Sequence, residues 1–270
     1  MSGRSRLRVG AVNYLNTKPL VYGLEQLAPE VQLVFDLPSR LADQLSAGKL
    51  DVALIPSIEM LQDRSYRTVS DACIACRGPV LSVKLFSRVP VDQIRTLALD
   101  EGSRTSAALS RILLKERYGI EPALESLPIG EGIAASGADA VLLIGDRAMH
   151  GQPGRFVEVW DLGDEWVRWS GLPFVFAMWT ARPGVDLNGL ETALSAARDE
   201  GLANLETIAR AEAAALGLTV PQCLSYLRDN LYFYFGPREQ RGLELYSQKA
   251  AKLGLAPAGI ALDGNDCTTT

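Results

Sequence analysis

The chain has 270 residues, 47% of them apolar and 22% charged, which is typical of a soluble globular protein that forms one large domain or two small lobes. Its 27 basic and 32 acidic residues give a formal net charge of -5, and no basic cluster indicates a surface for nucleic acid. No apolar run approaches the roughly 20 residues that span a bilayer, and the amino-terminal segment lacks a signal-peptide core, so we expect a cytoplasmic protein with no membrane partner.

The first part of the chain alternates predicted strands and helices. LRVGAV, residues 7–12, predicts a buried strand, and PLVYGLEQL, residues 19–27, predicts a helix that begins at Pro19. VQLVFDLP predicts a second strand, and SRLADQLSAGKL predicts a helix capped by Ser39 and ended by Gly48. DVALIPS predicts a third strand. This alternation favours an α/β fold with a mostly parallel sheet.

The middle of the chain repeats the pattern. ACIACRGPVLSVKLFSR predicts two strands separated at Gly78-Pro79, and TLALDEGSRTSAALSRILLKERYG predicts a strand, a polar turn and a helix. ADAVLLIGDRAM predicts another strand, which ends at Gly145 and Asp146. LPFVFAMWTARPG predicts a long apolar strand, and the chain beyond it is predicted to be nearly all helical.

The order of these elements predicts two lobes. Residues 1–86 would form the first part of lobe 1, residues 87–179 would form lobe 2, and residues 180–270 would return as helices of lobe 1. Two apolar strands, around residues 80–88 and 173–181, would cross between the lobes. Such a double connection acts as a hinge and makes the cleft between the lobes the expected ligand site.

Several polar turns would face this cleft. They are the turns at residues 13–18, 56–57, 82, 102–106 and 145–146. The first collects Asn13, Tyr14, Asn16, Thr17 and Lys18 where a strand leads into a helix, which is where open α/β sheets bind ligands.

The turn at residues 102–106 is the most specific of these signals. It would present backbone N–H groups and the hydroxyls of Thr105 and Ser106 at a helix N-terminus, an arrangement suited to a carboxylate. The alternative is that Ser103, Thr105 or Ser106 only caps the helix.

Metal, redox and nucleotide chemistry are poorly supported by the sequence. Cys73 and Cys76 form a single C-x-x-C pair without a second pair, and the only histidine is His150, so we expect buried thiols and no metal. His150 is interpreted as a surface or capping residue, with a role as a base as the alternative. No phosphate-binding glycine motif or Ser-His-Asp order stands out. Trp169 and Phe174, near the predicted hinge, could wall a ring-shaped ligand.

Six segments, in order along nearly the whole chain, resemble the chorismate dehydratase family, the first enzymes of the futalosine route to menaquinone. They are VGAVNYLNTKPLVYGL, DVALIPSIE, GPVLSVKLFS, GSRTSAAL, AVLLIGDRAM and DLGDEWVRWSGLPFVFAMW. The resemblance implies a two-lobed fold similar to type II periplasmic binding proteins. It also implies a hydro-lyase that converts chorismate to 3-[(1-carboxyvinyl)oxy]benzoate and water, with chorismate as its small-molecule partner and no cofactor.

The resemblance also implies roles for particular residues. Asn16 would position the departing hydroxyl, and Ser82 would face it from the crossing strand. The implied substrate-binding residues are Ser57, Thr105 and Ser106, with Thr105 and Ser106 holding a carboxylate. Asp146, from its polar turn, and Trp169, from its place near the predicted hinge, are the further substrate-binding candidates. Because no general base stands out among these residues, the enolpyruvyl carboxylate of the substrate would take the ring proton.

Two other classes of function remain as alternatives. The same lobes and anion-binding turns would suit a solute-binding protein of a transporter or a ligand-sensing domain for a small carboxylate. The first would need a secretory signal or a lipidated cysteine, and the second a DNA-binding segment, and we expect neither in this chain. The oligomeric state stays open.

Overall fold

Strands and helices alternate along residues 6–259, the part of the chain that this computed structural model describes. Its strands are β1 (Leu7–Val12), β2 (Val31–Asp36), β3 (Val52–Pro56), β4 (Arg67–Cys76), β5 (Val83–Ser87), β6 (Thr96–Asp100), β7 (Ala123–Leu127), β8 (Ala140–Ile144), β9 (Glu158–Asp161), β10 (Phe174–Ala181) and β11 (Tyr232–Tyr234). Its α-helices are α1 (Leu24–Leu27), α2 (Pro38–Ser46), α3 (Ser57–Met60), α4 (Arg104–Tyr118), α5 (Leu162–Ser170), α6 (Leu190–Ala203), α7 (Leu205–Glu212), α8 (Val220–Ser225) and α9 (Pro237–Lys252).

The strands form two separate sheets, as predicted. One has the order β11-β4-β10-β3-β1-β2, and the other has the order β7-β6-β8-β5-β9. β1 is parallel to both β2 and β3, which confirms the parallel arrangement predicted for the first part of the chain. β10 runs antiparallel to β3 and β4, because it enters this sheet after the chain has returned from the other one. The predicted two-lobed α/β fold is therefore confirmed.

The chain passes from one sheet to the other at residues 77–82 and returns at residues 170–173. The two strands predicted to cross between the lobes, around residues 80–88 and 173–181, correspond to β5 and β10. That prediction was wrong, because each of them pairs within a single sheet. Proline has no N–H to donate to a strand ladder, so Pro79 and Pro173 favour connections over strands at these points. The lobe boundaries predicted at 86/87 and 179/180 fall inside β5 and β10. Residues 1–5 and 260–270 of the predicted first lobe lie outside the described residues.

Three local predictions differ from the structure. The last part of the chain, predicted to be helical, contains the short strand β11, which pairs with β4. The helix predicted over residues 19–27 is a 3-10 turn, Leu15–Val21, followed by the short α1. Gly23, with φ +67°, separates the two because this left-handed conformation interrupts a right-handed helix. The Ser39 cap was wrong: α2 begins at Pro38, so Ser39 lies buried inside the first turn. Proline suits that first position because its fixed φ is already helical.

Continuous apolar strands lie in the middle of both sheets. Every residue of β3 and β10 is buried in the first sheet, and every residue of β8 is buried in the second. Strands covered on both faces need such uninterrupted apolar runs. In the described part of the chain, no helix combines the length and the apolar character needed to cross a membrane.

Candidate functional site

A cleft of about 510 Å³, open solvent at its mouth included, lies where ends of β1, β3, β8 and β10 meet the crossing segment. Its polar lining consists of Tyr14, Asn16, Ser82, Ser103 and Ser106. Its remaining lining consists of Val12, Pro38, Pro56, Ile74, Val80, Val83, Ile144, Gly145, Phe176 and Ala177. Both sheets contribute residues to the walls, so the cleft lies between the two halves of the fold.

The cleft brings together three of the seven residues predicted for the site: Asn16, Ser82 and Ser106. Asn16 lies in the turn that follows β1, and its Oδ1 accepts a hydrogen bond from Thr17 Oγ1 at 3.3 Å. Lys18, from the same polar turn, forms an ion pair with Glu212 at 3.0 Å. The positive charge in this turn is thus paired, while Asn16 lines the cleft.

The N-terminus of α4 contributes two hydroxyl groups to the cleft. Ser103 Oγ accepts a hydrogen bond from the Ser106 backbone N–H at 3.2 Å and donates one to Ser106 Oγ at 2.7 Å. Ser103 therefore caps the helix and lines the cleft at the same time. The first N–H groups of an α-helix have no acceptor within the helix and carry a partial positive charge, so this end of α4 suits an anion.

The hydroxyls of Ser57 and Thr105 hydrogen-bond to other groups of the protein, and neither residue lines the cleft. Thr105 Oγ1 accepts a hydrogen bond from the Ile58 backbone N–H at 3.2 Å and lies 3.4 Å from Ser57 Oγ. Ser57 Oγ donates to the carbonyl of Val175 at 2.8 Å, and both hydroxyl side chains are buried. Beside them, Arg104 pairs with Asp43 on α2. These contacts join α4 to the elements around the first sheet and close one side of the cleft.

Asp146 and Trp169 also lie outside the cleft lining. The Asp146 carboxylate accepts the Leu15 backbone N–H, with both oxygens 3.3 Å away, and so links the end of β8 to the turn after β1. Trp169 packs edge-on against Trp166, with Lys249 Nζ 5.1 Å from its ring centroid. The aromatic residues that line the cleft are Tyr14 and Phe176, and the Phe176 ring centroid lies 4.7 Å from that of the buried Phe174.

Tyr14 and Gly145 are cleft residues that the sequence reasoning did not select as site residues. The Tyr14 ring lies so close to Gly145 that a Cβ built there would stand 2.9 Å from Tyr14 Cζ. Burial, together with the charge of Asp100, raises the pKa of Tyr14 to about 12. Tyr14 is therefore protonated near neutral pH, and its hydroxyl is able to donate a hydrogen bond. The sequence feature that could have identified Tyr14 is its place in the polar turn at residues 13–18.

The two C-x-x-C cysteines are buried thiols in β4, as their sequence context predicts. Burial raises the pKa of Cys76 to about 12 and that of Cys73 further, which keeps both thiols protonated. Among residues 6–259, no group of three or more His, Cys, Asp or Glu side chains is arranged to hold a metal ion.

Asp146→Asn is expected to stabilise the protein increasingly as pH rises from about 4 to about 7. Burial raises the pKa of Asp146 to about 6 in the folded state, although the hydrogen bond from Leu15 acts against this shift. Nearby Glu212 also raises it, and Lys18 and His150 lower it. A raised pKa means that the folded state loses stability as the carboxylate ionises, by at most about 3 kcal/mol, and asparagine avoids that loss.

Thermal melting of both proteins across this pH range would measure the effect. Asp139→Asn is the matched control, because hydrogen bonds from Arg95 and Thr96 lower the pKa of Asp139. Its carboxylate is ionised in both folded and unfolded states above about pH 5, so this variant should be less stable than the parent by an amount that hardly changes from there to about pH 7. A melting difference between Asp146→Asn and the parent that does not change with pH would contradict the expected titration.

Comparison with known proteins places the chain among enzymes of one pathway. Residues 7–252 match the model of a family described as menaquinone biosynthesis. A chorismate dehydratase from Thermus thermophilus is 33% identical over 267 residues, which cover 92% of this chain and 96% of that protein. A chorismate dehydratase from Campylobacter jejuni is 28% identical over 177 residues, which cover 62% of this chain and 64% of that protein.

Solved structures with the same architecture are more distant in sequence. A protein from Archaeoglobus fulgidus superposes with a TM-score of 0.73 at 18% identity, covering 94% of this chain and 99% of that one. The periplasmic aliphatic sulphonate binding protein SsuA from Escherichia coli gives a TM-score of 0.63 at 17% identity, covering 94% and 89%. At these identities the likeness shows the fold alone, and it confirms the predicted periplasmic-binding-protein-like architecture.

Proposed function

Because this chain belongs to the menaquinone biosynthesis family, we propose that it is a chorismate dehydratase, a hydro-lyase that releases water from chorismate and forms 3-[(1-carboxyvinyl)oxy]benzoate. The relative from Thermus thermophilus, similar over nearly the whole of both chains, supports this assignment. The observation that carries the proposal is the composition of the cleft. Its lining combines apolar walls with neutral hydrogen-bonding groups around a helix N-terminus.

This lining suits the chemical groups of chorismate. A carboxylate would bind at the start of α4, where the hydroxyls of Ser103 and Ser106 accompany the helix N–H groups. The diene ring would pack against apolar side chains such as Phe176 and Ile144. Asn16 and Ser82 would then hydrogen-bond the hydroxyl and ether oxygens.

The reaction needs one proton removed and one hydroxyl released. The C–H bond at the ether-bearing carbon breaks, its electron pair forms the new ring double bond, and the C–O bond of the neighbouring hydroxyl breaks. Among the described lining side chains, only Tyr14 can titrate, and its raised pKa makes it a donor near neutral pH. We therefore assign proton removal to the enolpyruvyl carboxylate of the substrate, from which the proton leaves with the hydroxyl as water.

Acceleration in such a site comes from orientation and fixed dipoles. Aromatisation of the ring supplies the driving force, so the protein does not need a strong acid or base. Neutral donors such as Asn16, Ser82 and Tyr14 can stabilise the departing oxygen without repelling the two substrate carboxylates. The remaining rate increase comes from the protein holding the enolpyruvyl carboxylate of the substrate near the ring proton.

A turnover assay tests the proposal. Purified protein incubated with chorismate is expected to remove the diene absorbance and to form an aromatic product lighter by one water. Mass analysis distinguishes this product from rearranged chorismate, whose mass is unchanged. Chorismate binding, measured by calorimetry, without any turnover would instead favour a binding or sensing protein for a small carboxylate.

A further inference from the structure

Ser82 occupies a constrained position at the edge of the cleft. It ends the crossing segment 77–82, its side chain is buried, and it precedes β5 directly. The residue before it, Leu81, has φ +60°, a left-handed conformation that costs a non-glycine residue roughly 1–3 kcal/mol. Asp161 accepts the backbone N–H groups of Val80 at 2.9 Å and Leu81 at 2.6 Å. This carboxylate therefore stabilises the backbone turn that directs Ser82 into the cleft.

A second contact acts on the Ser82 hydroxyl itself. Tyr226 Oη donates a hydrogen bond to Ser82 Oγ at 2.8 Å, although the two residues are 144 positions apart. Tyr226 begins a π-helical turn, Tyr226–Asn230, a rare conformation that is frequent at functional sites. Its side chain is fully buried behind Ser82 and does not line the cleft.

The phenol of Tyr226 is a permanent donor. Burial raises the pKa of Tyr226 far above its usual value, while hydrogen bonding with Ser82 and Asn16 acts against this rise. The hydroxyl therefore keeps its proton near neutral pH, and a serine oxygen is its acceptor. A serine hydroxyl has one proton and two lone pairs, so the phenol occupies a lone pair and leaves the serine proton free.

We propose that Tyr226 is a positioning residue that makes Ser82 a hydrogen-bond donor toward the substrate. The Oη–Oγ bond and the backbone turn held by Asp161 together fix where the serine oxygen lies. Within the part of the chain that the structure describes, Ser82 Oγ donates to no protein group, and the side with space is the cleft. The Ser82 proton then points at the departing hydroxyl. This inference rests on the proposed dehydration.

A double-mutant cycle tests it. Tyr226→Phe is expected to lower kcat for chorismate about tenfold while KM changes by less than about twofold, because the ring still fills its site and only the hydrogen bonds of its hydroxyl are lost. In a Ser82→Ala background, the same substitution should change kcat by less than about twofold, since the group that it positions is absent. Equal losses in both backgrounds would mean that Tyr226 acts through the packing of the protein or through Asn16 and not through Ser82, and would overturn the proposal.

Stability measurements give a readout that is independent of turnover. Ser82→Ala leaves the buried Tyr226 hydroxyl without its acceptor, so the double variant should melt at a higher temperature than Ser82→Ala alone. A double variant that melts no higher would contradict the direct hydrogen bond.

The control is Tyr234→Phe, which removes a hydroxyl that donates to Asp199 at 3.1 Å on an exposed face, and its kcat and KM should equal those of the parent. A parent protein that does not convert chorismate would overturn the proposed function, and this inference with it. If the parent converts chorismate but the losses of kcat caused by Tyr226→Phe and Ser82→Ala are additive, this inference is overturned and the proposed function stands.

Discussion

Replacing Asn16 with aspartate is expected to lower chorismate turnover at least a hundredfold while the melting temperature moves by only a few degrees. Asn16 lines the cleft and offers both a donor and an acceptor without ionising. Aspartate keeps the shape and can still accept the Thr17 hydroxyl, but it loses the donor and adds a negative charge beside a dianionic substrate. Two like charges about 4 Å apart repel by about 4 kcal/mol near a protein surface.

Two further variants make this prediction specific. Asn16→Leu fills the same space without polar groups, and we expect comparable loss because shape alone does not position the leaving hydroxyl. Asn204→Asp is the matched control, since Asn204 donates to the Glu200 carbonyl between α6 and α7 and does not line the cleft. Steady-state kinetics and thermal melting of all three variants would measure the effects. Parent-like turnover in either Asn16 variant would show that Asn16 serves the turn and not the reaction.

Gly145→Ala is expected to destabilise the protein by about 2–6 kcal/mol and to abolish most turnover. Gly145 has φ +78° and ψ -167°, a region that only glycine enters readily, so alanine carries a backbone strain of roughly 1–3 kcal/mol. Its Cβ would also stand 2.9 Å from the Tyr14 ring, and overpacking of this kind typically costs about 1–3 kcal/mol. The displaced ring lies in the cleft, and the Gly145 N–H donates to the Ser82 carbonyl at 2.9 Å.

Denaturant unfolding and chorismate kinetics would measure both effects. Gly130→Ala separates strain from steric contact, because Gly130 has φ +89° with no heavy atom within 4 Å of its added Cβ. Adding Tyr14→Ala to Gly145→Ala should recover the part of the stability that the ring contact costs. If Gly145→Ala and Gly130→Ala lose equal stability, backbone strain alone accounts for the loss at Gly145, and contact of the added Cβ with the Tyr14 ring contributes nothing.

Local pattern was enough to predict most of the fold. The apolar run at residues 7–12 coincides with β1, and the strand–turn–helix pattern around residues 102–106 predicted the start of α4, with capping by Ser103 among the alternatives left open there. Alternation of strands and helices predicted two sheets and a cleft between them. These features depend on neighbours within a few positions, where helix caps, proline and apolar periodicity act.

The direction of each polar side chain depended on the tertiary structure. Thr105 and Ser106 are adjacent and both buried, but successive residues on a helix point roughly 100° apart. Ser106 consequently faces the cleft, whereas Thr105 bonds to Ile58 on the neighbouring α3. The helix sequence alone does not determine which side the first sheet covers.

Hydrogen bonds between residues that are distant in the chain explain the site contacts that the sequence did not predict. Asp146 binds the Leu15 N–H, and Tyr226 binds Ser82 across 144 positions, so no local spacing could reveal either contact. The sequence by itself determined which elements form and which turns carry polar groups, because those depend on local backbone preference and burial. Packing of the two sheets decided which of those groups face the cleft, because a hydroxyl or carboxylate buried by a neighbouring element must bond to that element.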